Sequence, residues 1–316
     1  MSAGSRLPGT PAPMHYFAGH GGITLAGDSW GDPNGPLVIL QHGGGQTRHA
    51  WKGAAEALGL AGYHAVAFDA RGHGDSEWAA DGIYGMDVMV KDLRCAMEAF
   101  GRARAVLVGA SMGGGTSLVA VGEEHIDATA LVMVDIAPKI EADGVAKIQS
   151  FMNQKPEGFD SLHEVAEAIS RYQPHRKTPK NLDGLAKNVR LAKNGKYRWH
   201  WDPAFRSMRR DVEQRQKRQI ACAQNLELPV LLVRGGLSDV LSEEGAAHFL
   251  GLCPHSEFVN VTGAGHMVAG DRNDVFAGAV VEFLTRTVPI DAEPLQQPRT
   301  LHPHHLGPPG DVVDVP

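Results

Sequence analysis

Short apolar runs punctuate the chain at intervals that leave room for a helix between them. Leu37-Val-Ile-Leu40, Tyr63-His-Ala-Val-Ala-Phe68, Ala105-Val-Leu-Val108, Ala130-Leu-Val-Met-Val134 and Pro229-Val-Leu-Leu-Val233 are almost wholly apolar. Such runs predict strands buried on both faces, as in a parallel sheet. Ile23-Thr-Leu-Ala26 and Glu257-Phe-Val-Asn-Val261 read as further strands. Between the runs the period changes: in Met86 to Phe100, Val90, Leu93, Met97 and Phe100 fall three or four apart, the spacing of one helix face. Trp51 to Leu60 and Asn273 to Thr287 predict helices as well, and Gly62 and Gly101 stand where helices stop. Strands alternating with helices call for an α/β fold, with a mostly parallel sheet, right-handed crossovers and a site at the C-terminal strand edge.

The pattern breaks once. From Pro138 to about Asn225 the chain is helical, polar and basic, without apolar runs of the earlier kind. Residues 171–218 hold 15 Lys or Arg against four acids, a net +11, which leaves −17 for the remainder of a chain whose total is −6. The organisation expected is an α/β core of residues 14–137 and 226–288 interrupted by a helical cap, 138–225. Tyr197-Arg-Trp-His-Trp201 concentrates aromatic residues in that cap, as a small core or a pocket lining. Residues 1–13, rich in Pro, Gly and Ala, predict a flexible arm, and 289–316, with seven prolines, a disordered tail. His302, His304 and His305 read as tail residues and not as a metal site.

Composition narrows the function classes. No apolar run approaches the roughly 20 residues of a membrane span, and the N-terminus lacks the apolar core of a signal peptide. A cytoplasmic protein with no membrane partner is expected, and the negative net charge argues against nucleic acid. Cys95, Cys222 and Cys253 are odd in number and far apart, which suits reduced thiols better than a disulfide frame or zinc site.

The chemistry concentrates at predicted strand ends. Gly109-Ala-Ser-Met-Gly113 joins a strand to a helix with Ser111 at the apex of a sharp turn. Small residues two positions either side let helix and strand approach, and the hydroxyl is pushed out of the sheet. The N–H of Met112 opens the helix and is a candidate oxyanion donor. His42-Gly43-Gly44-Gly45 follows another buried strand, and Gly44 is the candidate second donor. A dinucleotide-binding loop would want a G-x-G-x-x-G register and an acid after the next strand, and Ser111 stands where that loop needs bare backbone. Two later strand ends supply Asp239, in Arg234-Gly-Gly-Leu-Ser-Asp239, and His266, in Gly263-Ala-Gly-His266. A serine needs an imidazole to take its proton, and the imidazole needs a carboxylate to set its tautomer. Ser111, Asp239 and His266 are therefore the expected triad. Asp135, which ends the strand after the serine strand, is the alternative acid. Asp69 and Arg71, in Asp69-Ala-Arg-Gly-His-Gly-Asp-Ser76, read as structural.

Taken together, these five motifs resemble the α/β-hydrolase fold, in a form with a serine nucleophile and a cap, over roughly residues 20–287. The resemblance implies an eight-stranded, mostly parallel sheet, a helical cap after the sixth strand and no cofactor. Epoxide hydrolases and haloalkane dehalogenases place aspartate at the apex, so Ser111 sets this chain apart from both. The expected activity is hydrolysis of a carboxylic ester or similar small acyl compound through an acyl-enzyme. C–C hydrolysis, cofactor-free perhydrolysis or haloperoxidation, and ligand binding without turnover are the alternatives.

Overall fold

Along each apolar run, alternate side chains enter opposite layers. Leu37 and Ile39 of one strand pack into one core cluster, while Val38 and Leu40 pack into the other. Burial on both faces is thus the reason these runs lack a polar face. The computed structural model describes residues 3–174, 183–207 and 211–290. The strands of the main sheet are β1 (His15–Ala18), β2 (Thr24–Trp30), β3 (Leu37–Gln41), β4 (His64–Phe68), β5 (Ala105–Ala110) and β6 (Ala128–Val134). After a hairpin outside it, β7 (Val189–Leu191) and β8 (Tyr197–Trp199), the sheet resumes with β9 (Val230–Gly235) and β10 (Glu257–Val261). Its eight strands lie in the order β1-β2-β4-β3-β5-β6-β9-β10. Only the β1/β2 and β2/β4 pairings are antiparallel. β1 carried no apolar run to betray it, because this edge strand alternates between half-buried and exposed positions.

Helices cover both faces. α1 (Lys52–Leu60) lies on one face with a late helix, Asn273–Thr287, through Ala54, Leu58, Phe276 and Phe283. The other face carries α2 (Met86–Ala99) and α3 (Met112–Gly122), which bury Val90, Leu93, Leu118 and Val119. The segment that follows β6 holds α4 (Ala142–Asn153), α5 (Leu162–Tyr172), the β7/β8 hairpin, α6 (Pro203–Ser207) and α7 (Val212–Gln224). Then come α8 (Glu243–Leu252), α9 (Val268–Asp271) and the Asn273–Thr287 helix, α10.

Two expectations about organisation change. α7 is not cap: Cys222 and Ala223 join the core cluster, and a Cβ added to Gly122 of α3 would lie 2.4 Å from the Cys222 side chain. The cap therefore ends before residue 211, and it is helix plus hairpin. Nor is the N-terminal arm loose from Ala3 onward. Ser5 and Leu191 exchange backbone hydrogen bonds of 3.0 and 2.9 Å, and Leu7 enters the cap's apolar cluster. Gly4, at φ 143°, is needed there, since a Cβ would meet the Leu191 carbonyl oxygen at 2.3 Å.

Aromatic residues of the segment between β6 and α7 pack in a cluster that also takes in Ala79, Tyr84 and Met89. Trp199 and Trp201 stack at 4.9 Å, Phe159 meets Trp199 edge-on, and Phe151 stacks on Tyr172 at 4.3 Å. No described helix is long and apolar enough to cross a membrane. Residues 291–316 of the tail, including His302, His304 and His305, lie outside the described residues.

Candidate active site

Ser111 sits between β5 and α3 with φ 48° and ψ −109°, a left-handed conformation that costs a residue with a Cβ about 1–3 kcal/mol. Close packing enforces the turn. A Cβ on Gly109 would lie 2.4 Å from the backbone nitrogen of Gly114, and one on Gly113 would lie 2.4 Å from the carbonyl oxygen of Gln41. The small residues of the motif are there because strand and helix touch at those points.

Across from the serine, Gly43 lies so near that a Cβ on it would be 3.2 Å from Cβ of Ser111. The three glycines then differ in what their N–H groups do. Gly43 donates to Oε1 of Gln46 at 2.9 Å, and Gly45 donates to Nε2 of His73 at 3.1 Å. For Gly44 and Met112 the N–H has no protein acceptor among the described residues. Both expected oxyanion donors are therefore available to a ligand.

Three buried histidines brace this loop. Ala70 donates its N–H to Nε2 of His42, whose Nδ1 lies 2.8 Å from the Gly43 carbonyl oxygen. Gly74 donates to Nδ1 of His200, whose other nitrogen is 3.3 Å from the carbonyl oxygen of Gly45. A backbone N–H can only donate, so His42, His73 and His200 each accept through an unprotonated nitrogen and are neutral. Burial holds the pKa of His42 down against the pull of Asp69, and burial followed by His73 and Arg190 holds His200 well down. His200 lies just after the β7/β8 hairpin, so one imidazole ties that hairpin to the glycine loop. Its partner Gly74 lies 126 positions away, a separation that leaves no periodic signal in sequence.

Behind the loop lies a buried ion cluster. Arg48, with no exposed surface, meets Asp69 at 2.6 Å and Asp28 and Asp75 at 2.9 Å each. Arg190 of the hairpin reaches Asp75 at 3.0 Å, and Arg71 pairs with Asp92 at 2.5 Å. Burial opposes the Arg48 charge, but the carboxylates outweigh it and raise its pKa. Asp69 and Arg71 are structural here: Asp69 accepts from the Asp75 N–H of its own loop at 2.9 Å, and the charged partners Arg48 and Asp92 lie outside that loop.

The expected acid is corrected. Asp239 has a half-exposed side chain whose Oδ2 pairs with Nζ of Lys147 on α4 at 2.6 Å. His266 instead places Nδ1 2.7 Å from Oδ2 of Asp135. The Asp135 side chain is fully buried, and it also accepts from the Gly235 N–H at 2.8 Å and from the Ser238 hydroxyl. The turn after β9 is the reason. Gly236 and Leu237 donate their N–H groups to Val261 and Ala264, and Ser238 donates to Gly235. This turns Ser238 inward and leaves Asp239, one residue on, facing solvent. Asp135 adopts φ 51°, the second left-handed residue at a sheet edge shared with Ser111. Ser238 was missed in the sequence because a lone serine in a glycine-rich turn carries no chemical signal.

Next to His266 a cavity of about 240 Å³ opens, reaching Ala110, Val134 and Gly45. Among the described residues no group of three or more His, Cys, Asp or Glu is arranged to hold a metal ion.

A strained serine turn after β5, a glycine loop after β3, an aspartate after β6 and a histidine after β10 thus share one edge of the sheet. Residues 36–272 match the family model described as alpha/beta hydrolase fold, and the chain belongs to that family of enzymes. It is 28% identical over 257 residues to the esterase Rv0045c of Mycobacterium tuberculosis, covering 77% of this chain and 80% of that one. With the 3-hydroxybutyrate-oligomer hydrolase of Cupriavidus necator it shares 27% identity over 283 residues, 84% of this chain and 93% of the relative. Among solved structures, E-2-(acetamidomethylene)succinate hydrolase superposes with a TM-score of 0.74 at 22% identity, covering 85% of this chain and 99% of that one.

Proposed function

We propose that this hydrolase cleaves a carboxylic ester of a small acyl compound through an acyl-enzyme, with Ser111 as nucleophile, His266 as base and Asp135 as the orienting acid. The observation that carries the reading is the contact between Nδ1 of His266 and the buried carboxylate of Asp135. It fixes the proton on Nδ1 and leaves Nε2 to accept one. Ser111 Oγ attacks the ester carbonyl while Nε2 of His266 takes its proton, and the oxyanion is held by the N–H groups of Gly44 and Met112. The same proton passes to the departing alcohol as the C–O bond breaks. Water then attacks the acyl-serine, giving its proton to His266, and Ser111 recovers its hydrogen as the acid leaves.

The relatives support the ester class: one is named an esterase, the other a hydrolase of hydroxybutyrate oligomers. The scheme uses no cofactor, and neither nucleic acid nor a membrane is a partner in it. A fluorophosphonate probe tests it through intact-protein mass. One adduct on the wild type and none on Ser111→Ala is the expected result; adduct formation on both would place the reactive group elsewhere.

A further inference from the structure

We propose that the cavity beside His266 contains a carboxylate subsite anchored by Lys187, so that the ester it serves carries an anionic arm. This rests on the serine-hydrolase reading above. The cavity lining divides by chemistry. Ala110, Val134, Val268 and Ala269 make it apolar beside the triad residues, whereas Gln46, Thr47, His49, Lys187 and Asn188 make it polar. No Asp or Glu is among its lining residues.

Lys187 differs from its neighbours in combining burial with the lack of an ion pair: Arg190 is neutralised by Asp75 and Lys196 pairs with Asp160, while Lys193 and Arg198 are exposed. Lys187 is half-buried on a short 3-10 turn, Asp183–Asn188, and its ammonium has no carboxylate or hydrogen-bond partner among the described residues. Burial, then Lys52, pushes its ammonium pKa down. A partly desolvated charge without a counterion is unfavourable, and an anion in the cavity relieves it.

The neighbouring groups also donate. Gln46 has spent its carbonyl oxygen on the Gly43 N–H, which leaves its amide hydrogens for a ligand. Trp51 lines the cavity, and its buried indole N–H has no acceptor among the described residues. His49, pushed down to about 4 by burial and Arg48, is neutral at working pH, which leaves the Lys187 ammonium as the cation of the lining. A cation and several donors without a lining acid suit a carboxylate.

The test compares esters of equal acyl length with and without the charge. Wild type, Lys187→Met and Lys187→Arg are assayed on 4-nitrophenyl hemisuccinate and 4-nitrophenyl butyrate. A second pair, 4-carboxyphenyl butyrate and phenyl butyrate, carries the charge on the alcohol side. For one pair, the ratio of kcat/KM for the anionic over the neutral ester should fall at least tenfold in Lys187→Met, mainly through KM, and recover in Lys187→Arg. Ratios unchanged within twofold for both pairs would overturn the subsite. Binding to Ser111→Ala, followed by thermal shift, needs no turnover. Monomethyl succinate should raise Tm where methyl butyrate does not, and adding Lys187→Met should abolish the rise. No shift in Ser111→Ala, or a shift that survives the addition of Lys187→Met, with ester turnover by the wild type intact, sinks the subsite alone, whereas turnover by Ser111→Ala sinks the serine mechanism alone.

Discussion

Two loops at the same sheet edge each offer an aspartate, and they treat it in opposite ways. After β6, Asp135 is fully buried, held by Gly235, Ser238 and His266. After β9, the Asp239 side chain is 45% exposed and, among the described residues, is tied to Lys147 alone. Glycines make the second loop look like the one that presents a side chain, but those glycines turn the backbone so that Ser238 faces in. What fits a carboxylate to orient an imidazole is a set of donors around it, and here the loop after β9 contributes donors to an acid that follows β6.

The sharpest way to break this comparison begins with the nucleophile they both would serve. Ser111→Ala should lower kcat on an activated ester by about 10⁶-fold, leaving only binding and oxyanion effects. The two acids follow. Asp135→Asn should cost on the order of 10⁴-fold in kcat, because the amide favours the wrong tautomer of His266. Asp239→Asn removes a surface ion pair worth about 0–1 kcal/mol and should change kcat less than about threefold. Steady-state kinetics on the two variants decide the matter, and a reversal of their order would restore Asp239 to the role the sequence suggested. Ser238→Ala, which removes one donor from Asp135, should lower kcat about tenfold, in line with roughly 1.5 kcal/mol for a hydrogen bond to a charged group. The same variant on an Asp135→Asn background should cost much less, which a double-mutant cycle reads directly.

The smallest effect concerns stability. His42, His49, His64 and His200 all have folded pKa values below the ordinary 6.5. Above pH 6.5 they are neutral folded or unfolded and contribute no pH dependence. Below it the unfolded chain takes up protons that the folded chain refuses, so stability falls by up to about 1.4 kcal/mol per pH unit per group until each folded pKa is reached. For His49 that window runs from 6.5 down to about 4. Urea unfolding at pH 7.5, 6.5 and 5.5 should show little change over the first step and a loss over the second; a flat profile would mean that the brace tolerates charge.

Much of the sheet was legible in the chain because burial on both faces leaves an unbroken apolar run. Glycine spacing around Ser111 was legible for a similar reason: contacts of backbone with backbone forbid any larger residue at Gly109 and Gly113. What escaped was decided by partners remote in sequence. The cap boundary depends on Cys222 meeting Gly122, and the choice between Asp135 and Asp239 depends on a one-residue phase in a turn. The sequence pattern of α7 is polar and basic like the cap, yet Arg218 uses its charge on Glu123 and Asp87 while the opposite face packs on α3.

The strand-like contact of Ser5 with Leu191 has a practical consequence. The opening residues of the polypeptide are stitched to the hairpin that carries Arg190 and, one turn further, His200. Trimming residues 3–12, or fusing a bulky affinity tag close before them, would unstitch that edge and loosen the roof over the oxyanion loop. Two preparations differing only in their leader would then rank the same substrates differently.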